Sequence, residues 1–179
     1  MESDTEVERK TPGSETVFSP LERPGGAGGF RGDKPPRMWL PPGMTFALHP
    51  RLAAGGFELG TLAGCRLLLK DNALFPWLLL VPEEPDGIED LHQLEAARYA
   101  EVMAAVRQVS LFVAEFFAPE KLNVACIGNQ VRQMHIHIVG RTTGDAAWPG
   151  TVWACAEKRA YAPAEVARIK AGAMAQLRL

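Results

Sequence analysis

The sequence predicts an α+β domain, a mostly antiparallel five-stranded sheet with one long helix and a C-terminal helix on one side. Three observations point there. Five short segments carry strand patterning, and only one consecutive pair of them is separated by a long helical stretch, which favours antiparallel neighbours. One segment, about Leu91 to Phe117, has sustained helical spacing. Trp77 to Val81 is a continuous apolar run stopped by Pro82, short enough to be a buried strand.

Each element has a local reason. Phe57–Thr61 and Cys65–Lys70 read as two strands, and the Ala63-Gly64 between them suits a hairpin turn. Asp71-Asn72 is a turn signal, and Glu83 to Asp90 is a polar loop. In the long helix Tyr99, Val102, Met103, Val106, Val109, Val113 and Phe117 form the apolar, core-facing stripe. Asp90 is its candidate N-cap, and Pro119 ends it. Leu122–Ile127 is a strand closed by Gly128-Asn129, and residues 133–140 are another. Pro163 opens the last helix at its first turn, with Val166, Ile169, Ala173 and Leu177 on one face.

The chain has 179 residues, and its organisation is uneven. Residues 1–37 hold 6 Gly and 5 Pro, and only 5 of them are Leu, Ile, Val or Phe. Such a stretch has too little apolar surface to offset chain entropy, so it reads as a disordered tail. A partner-binding arm, or a true start at Met38 or Met44, are the other readings. Residues 38–179 then form one domain with one core. The 19 basic and 21 acidic residues nearly cancel, for a net charge of −2. That excludes a global field that would draw the chain onto a nucleic-acid polymer or an anionic membrane. The longest apolar run, Ala73–Val81, is far short of the roughly 20 residues of a membrane helix. Cys65, Cys126 and Cys155 form no disulfide framework and no CxxC pair, and free thiols suit the cytoplasm.

The chemistry concentrates in Gln133-Met134-His135-Ile136-His137-Ile138-Val139-Gly140-Arg141. On a strand, Gln133, His135 and His137 share one face, and Met134, Ile136 and Ile138 the other. Two imidazoles at this spacing can bind a metal, work in catalysis, or fill a polar face. A metal would need a third ligand; His49 and His92 are the other histidines, neither in a metal-spaced motif, so no metal is assigned. Asn129 precedes the strand, Arg141 ends it, and Trp148 lies in the loop beyond. Imidazole, amide, guanidinium and indole together suit an anionic, ring-bearing ligand such as a nucleotide.

The run Gly128-Asn129-Gln130-Val131 through Val139 resembles the signature of the histidine-triad (HIT) superfamily, His-φ-His-φ-His-φ-φ on a strand after a Gly-[Asn/Gln]-x-Val turn. The resemblance covers roughly residues 44–155, from Leu67–Pro82 through Ala147-Trp148-Pro149-Gly150. It implies a nucleotide-binding α+β fold, often a homodimer, whose members hydrolyse or transfer nucleoside monophosphates through a covalent histidine, with no cofactor. Gln133 stands where the pattern has its first histidine, a form also found in bacterial members. His135 and His137 fall on the second and third. A further histidine that the family often carries falls near Trp77 here.

In this reading His135 attacks an α-phosphorus, one ring nitrogen being fixed by a backbone carbonyl. His137 donates to a phosphate oxygen or, if cationic, protonates the leaving group. Gln133 can hydrogen-bond phosphate but cannot carry a proton. Asn129 holds phosphate or orients water, and Asn72 reaches the ribose. The substrates would be dinucleoside polyphosphates, nucleoside phosphoramidates or similar. Two alternatives stand beside this one: a catalytically weak nucleotide-binding protein of the same fold, and a metal-binding β-protein using His135 and His137.

Overall fold

The computed structural model describes residues 46–85 and 87–179. The expected tail over 1–37, with Met38 and Met44, lies outside them. A short helix α1 (Pro50–Ala53) leads into β1 (Gly56–Leu62) and β2 (Cys65–Lys70). Ala63 and Gly64 join them at φ 49° and 66°, the two left-handed residues that a two-residue hairpin needs to match strand twist. β3 (Trp77–Pro82) follows, then α2 (Ala96–Phe117), β4 (Lys121–Cys126), β5 (Ile136–Arg141) and α3 (Pro163–Leu177). The strands pair in the order β1-β2-β3-β5-β4, every neighbour antiparallel. Among the described residues no helix is long and apolar enough to cross a membrane.

Strand alternation sorts the sheet into two faces. Leu67, Leu69, Leu78, Leu80, Ile136 and Ile138 pack in one core cluster with residues of α2 and α3. At Gly172 a Cβ would lie 2.3 Å from Phe116 Cε2, so only glycine lets α3 come this close to α2. Leu68, Trp77, Leu79, Val81 and Val139 point the other way and pack with Leu52, Val131 and Val152. Among the described residues no long helix covers that face. Short segments do, from 46–53 and 147–155. With both faces covered, β3 is buried at every residue, which is why its sequence is unbroken apolar.

Three boundaries and faces differ from the sequence expectation. The long helix starts at Ala96 rather than Leu91; Leu91–Gln93 is a separate 3-10 turn, so Asp90 does not cap the helix. The Gln93 side chain accepts from the main-chain N–H of Glu89 and Asp90 and closes that turn. Strand β5 starts at Ile136, not at residue 133. The buried stripe of α2 is Arg98, Val102, Ala105, Val106, Val109, Phe112 and Val113, while Tyr99 is 42% exposed and Met103 lies on the same outer side. The stripe is rotated because Arg98 is drawn inward.

Arg98 is 1% exposed. Its Nε donates to Glu84 at 2.5 Å, and its two terminal nitrogens donate to the carbonyls of Ala63 and Gly64, each at 2.7 Å. One guanidinium thus joins the long helix, the β1–β2 turn and the loop after β3. Removing it strands a carboxylate and two carbonyls in a dry place. Arg98→Met is expected to cost about 3–5 kcal/mol of unfolding free energy, as for a broken buried pair. Arg66→Met, which frees the more exposed Glu58 and Glu83, is expected to cost about 1 kcal/mol or less. Urea titration of both variants decides, and equal losses would refute the assignment.

Candidate active site

The functional face is set by register. Leu68 of β2 pairs with Leu79 of β3, and Leu79 pairs with His137 of β5, so the three stand in one row. The next row on the same face holds Trp77 beside Val139. His135 lies one residue before β5, yet its ring centroid is 4.8 Å from that of His137, edge to face. The histidines are 6% and 7% exposed.

Hydrogen bonds fix both rings. His135 Nδ1 is 2.7 Å from the Gln133 carbonyl oxygen. A carbonyl only accepts, so Nδ1 carries the proton and Nε2 keeps its lone pair. His137 Nδ1 is 2.9 Å from Trp77 Nε1. An indole only donates, so His137 Nδ1 is bare, and the neutral ring carries its proton on Nε2. Two adjacent imidazoles therefore hold opposite tautomers. Burial pushes His137 down to about 3, with His135 and then the Lys70 ammonium adding to the shift. Burial also lowers His135, against the pull of the Gln133 carbonyl, and Lys70 lowers it further. Both rings are neutral at pH 7.

Trp153 packs against His137 and Trp77. Its ring stands edge-on to His137 at 5.3 Å and to Trp77 at 5.9 Å. Its Nε1 is buried without a hydrogen-bond partner among the described residues. Trp148, expected at the ligand, instead is 41% exposed and stacks on Arg141 at 5.7 Å.

Arg141 is likewise a scaffold residue here. Its Nε and Nη2 donate to the two oxygens of Asp145 at 2.7 and 2.9 Å, and Nη1 donates to Asn123 Oδ1 at 2.8 Å. Arg141 holds the Asp145 carboxyl down at about 2, helped by the main-chain N–H groups of Ala147 and Thr142. A guanidinium this buried needs such partners, and they tie β5 to β4 and to the loop that carries Trp148 and Trp153.

Gln133 does not face the histidines through its amide. Its Nε2 donates to Ala47 O and its Oε1 accepts from His49 N, both at 2.9 Å. The first position of the motif thus stitches residues 46–49 down, next to Arg51 on Gln130. Asn72 is buried, and its Oδ1 accepts from Leu74 N and Arg159 N. Asn129 is exposed on the turn before β5. A cavity of about 320 Å³ is lined by His49, Pro82, Ile88, Gln133 and Met134 among others, but by neither His135 nor His137. Among the described residues no group of three His, Cys, Asp or Glu comes together that could hold a metal.

Sequence reasoning passed over Lys70 and missed the donor role of Trp77. Period-two alternation from Leu68 places Lys70 on the histidine face, so that signal was present. The Trp77 contact depends on strand register, which alternation does not supply.

Because both histidines bind protons less readily folded than unfolded, the unfolded chain holds more protons in between, and stability falls as pH drops. For His137 this window runs from the ordinary 6.5 down to about 3. His137 should cost about 1.4 kcal/mol per pH unit there. Thermal unfolding between pH 7 and pH 5 should therefore fall less steeply in His137→Gln than in the wild type. Parallel profiles would contradict the neutral, buried His137.

Comparison with known proteins agrees with this geometry. The HIT domain family model matches residues 57–144. A histidine triad protein from Bradyrhizobium japonicum is 35% identical, with a TM-score of 0.72 over 75% of this chain and 99% of that one. One from Marinobacter aquaeolei VT8 is 35% identical, with a TM-score of 0.72 over 75% and 98%. One from Sinorhizobium meliloti 1021 is 32% identical, with a TM-score of 0.71 over 74% and 98%. No curated protein matches the chain. A His-φ-His pair at the start of the strand after the Gly-Asn turn, in a five-stranded antiparallel sheet, together with 35% identity over nearly the whole of a histidine triad protein, makes this chain a member of the histidine triad (HIT) family.

Proposed function

We propose that the protein is a nucleotide phosphohydrolase or nucleotidyl transferase that carries the nucleotidyl group on His135. One observation carries this reading: the opposed tautomers of two rings 4.8 Å apart, one offering a lone pair and the other an N–H. The His135 Nε2 lone pair attacks the α-phosphorus. A P–N bond forms, and the bond to the leaving oxygen or nitrogen breaks, its electron pair going to the leaving group. Water, or another acceptor, then attacks the same phosphorus. The P–N bond breaks, neutral imidazole returns, and a proton passes to solvent.

His137 is too weak a base to arrive cationic at pH 7. Of its two expected roles, the neutral donor to a phosphate oxygen is the one that fits. The Gln133 carbonyl orients the nucleophile, while its amide holds the 46–49 segment. With His137 neutral, a leaving group stable as an anion is favoured, as in a polyphosphate. Asn129 is assigned to phosphate and Asn72 to the ribose. Trp153, rather than Trp148, is positioned to cover the ligand. Val124 and Ile127 leave apolar surface at β4, the sheet edge, which suits pairing of two copies. Three free cysteines suit the cytoplasm.

The near-complete burial of both histidines, with Trp153 packed against His137, favours a second reading, a nucleotide-binding protein with weak turnover. Assays on an adenosine phosphoramidate and a diadenosine polyphosphate separate the two. His135→Ala is expected to lower kcat by about 10³-fold or more, as for a lost nucleophile. Mass spectrometry of quenched reactions should find a nucleotidyl adduct on His135. Nucleotide binding without turnover of either compound would select the second reading.

A further inference from the structure

Among the described residues one buried side-chain N–H is left without a hydrogen-bond partner, Nε1 of Trp153. A donor taken out of water and given nothing in return is costly, and folded chains seldom keep one. The neighbours of Trp153 explain why it stays unmet. Its ring stands edge-on to His137 at 5.3 Å and to Trp77 at 5.9 Å. His137 Nδ1 already accepts from Trp77 Nε1, and its other ring nitrogen carries the proton, so His137 has no acceptor left. The Trp77 indole has none to give. Trp153 otherwise packs on the apolar cluster of Leu52, Val131 and Val152.

The backbone under Trp153 is tied on both sides. Before it, Arg141 grips the Asp145 carboxylate, and Trp148 N donates to Asp145 O. Around it, Ala154 N donates to Thr151 O and Cys155 N to Val152 O, which closes the turn. After it, Arg159 N and Tyr161 N donate to the side chains of Asn72 and Asp71. The unmet N–H therefore belongs to a fixed part of the histidine face. Trp153 as a residue is only half-buried, so its ring can turn within that frame.

The site then holds one free lone pair, on His135 Nε2, and two N–H groups, on His137 Nε2 and Trp153 Nε1. A phosphoryl group matches this set, an electrophilic phosphorus flanked by anionic oxygens whose charge is met by aimed donors. We propose that Trp153 is a second oxyanion donor, giving its Nε1–H to a non-bridging oxygen of the phosphoryl group at His135. The role rests on the nucleotide reading of His135. It predicts selectivity for the phosphorylated ligand over its bare nucleoside, since a nucleoside brings no oxyanion to the indole.

Calorimetric titration with AMP and with adenosine tests it, beside NMR of the unaltered chain carrying ¹⁵N-tryptophan. The Trp153 indole resonance, identified by its Overhauser contacts to the His137 ring, should move downfield with AMP and stay in place with adenosine. Trp153→Phe keeps an aromatic ring and removes the N–H. It should lower the AMP-to-adenosine affinity ratio about tenfold, as for a lost hydrogen bond to a charged group. A packing role alone would weaken both ligands together and leave the ratio unchanged. The NMR readout needs no substitution, so it decides even if Trp153→Phe fails to fold. AMP binding with an unmoved Trp153 resonance, or with a ratio that the variant shares, would overturn the donor role and leave the nucleotide reading standing. Absence of AMP binding to the unaltered chain would overturn the nucleotide reading and the donor role with it.

Discussion

A single buried hydrogen bond, Trp77 Nε1–H to His137 Nδ1, orders the chemistry of this protein. It exists because β3 and β5 pair with Leu79 opposite His137, which leaves Trp77 two residues along on the same face. Indole can donate and nothing else, so the contact has one polarity. His137 must present its remaining N–H from the other nitrogen. His135, with its Nδ1–H spent on the Gln133 carbonyl, must present a lone pair. A histidine in place of Trp77 could donate or accept, and would leave the tautomers open to exchange. The tryptophan removes that freedom, and its ring packs against His137 in the buried site.

The two faces of the sheet are covered by different means. Helices α2 and α3 seal one face with apolar side chains. The other is closed by short segments that have little core of their own, so polar contacts hold them. Gln133 ties down residues 46–49, Arg141 with Asp145 anchors the loop of Trp148 and Trp153, and Asn72 holds residue 159. Side chains that a ligand-centred reading assigns to substrate are used to build the wall around it. Such contacts are individually worth about 1 kcal/mol and open more easily than a packed helix.

Overall charge says little about this site. A net charge of −2 describes the chain, while burial, with a further push from the Lys70 ammonium, keeps both histidines of this face below their ordinary range. Elsewhere arginines are matched by acids, Arg66 by Glu58 and Glu83, Arg98 by Glu84, and Arg132 by Glu89.

Much was legible from the order of residues alone. Alternation in Leu67–Lys70 and in His135–Ile138, the Ala63-Gly64 turn and the apolar run of β3 are properties of neighbours, and they determined the strands, the hairpin and the side-by-side histidines. The outward turn of Tyr99 and Met103 was not legible, since it follows from Arg98 reaching a turn 34 residues away. Nor was the task of Gln133, whose partners lie 84 and 86 residues back, or the polarity of His137, set by an indole 60 residues away. Local sequence decides which face a side chain points to, because backbone geometry repeats every two or 3.6 residues. Which of its donors and acceptors stay free for a ligand depends on what the rest of the chain brings against it, and only the tertiary structure decided that.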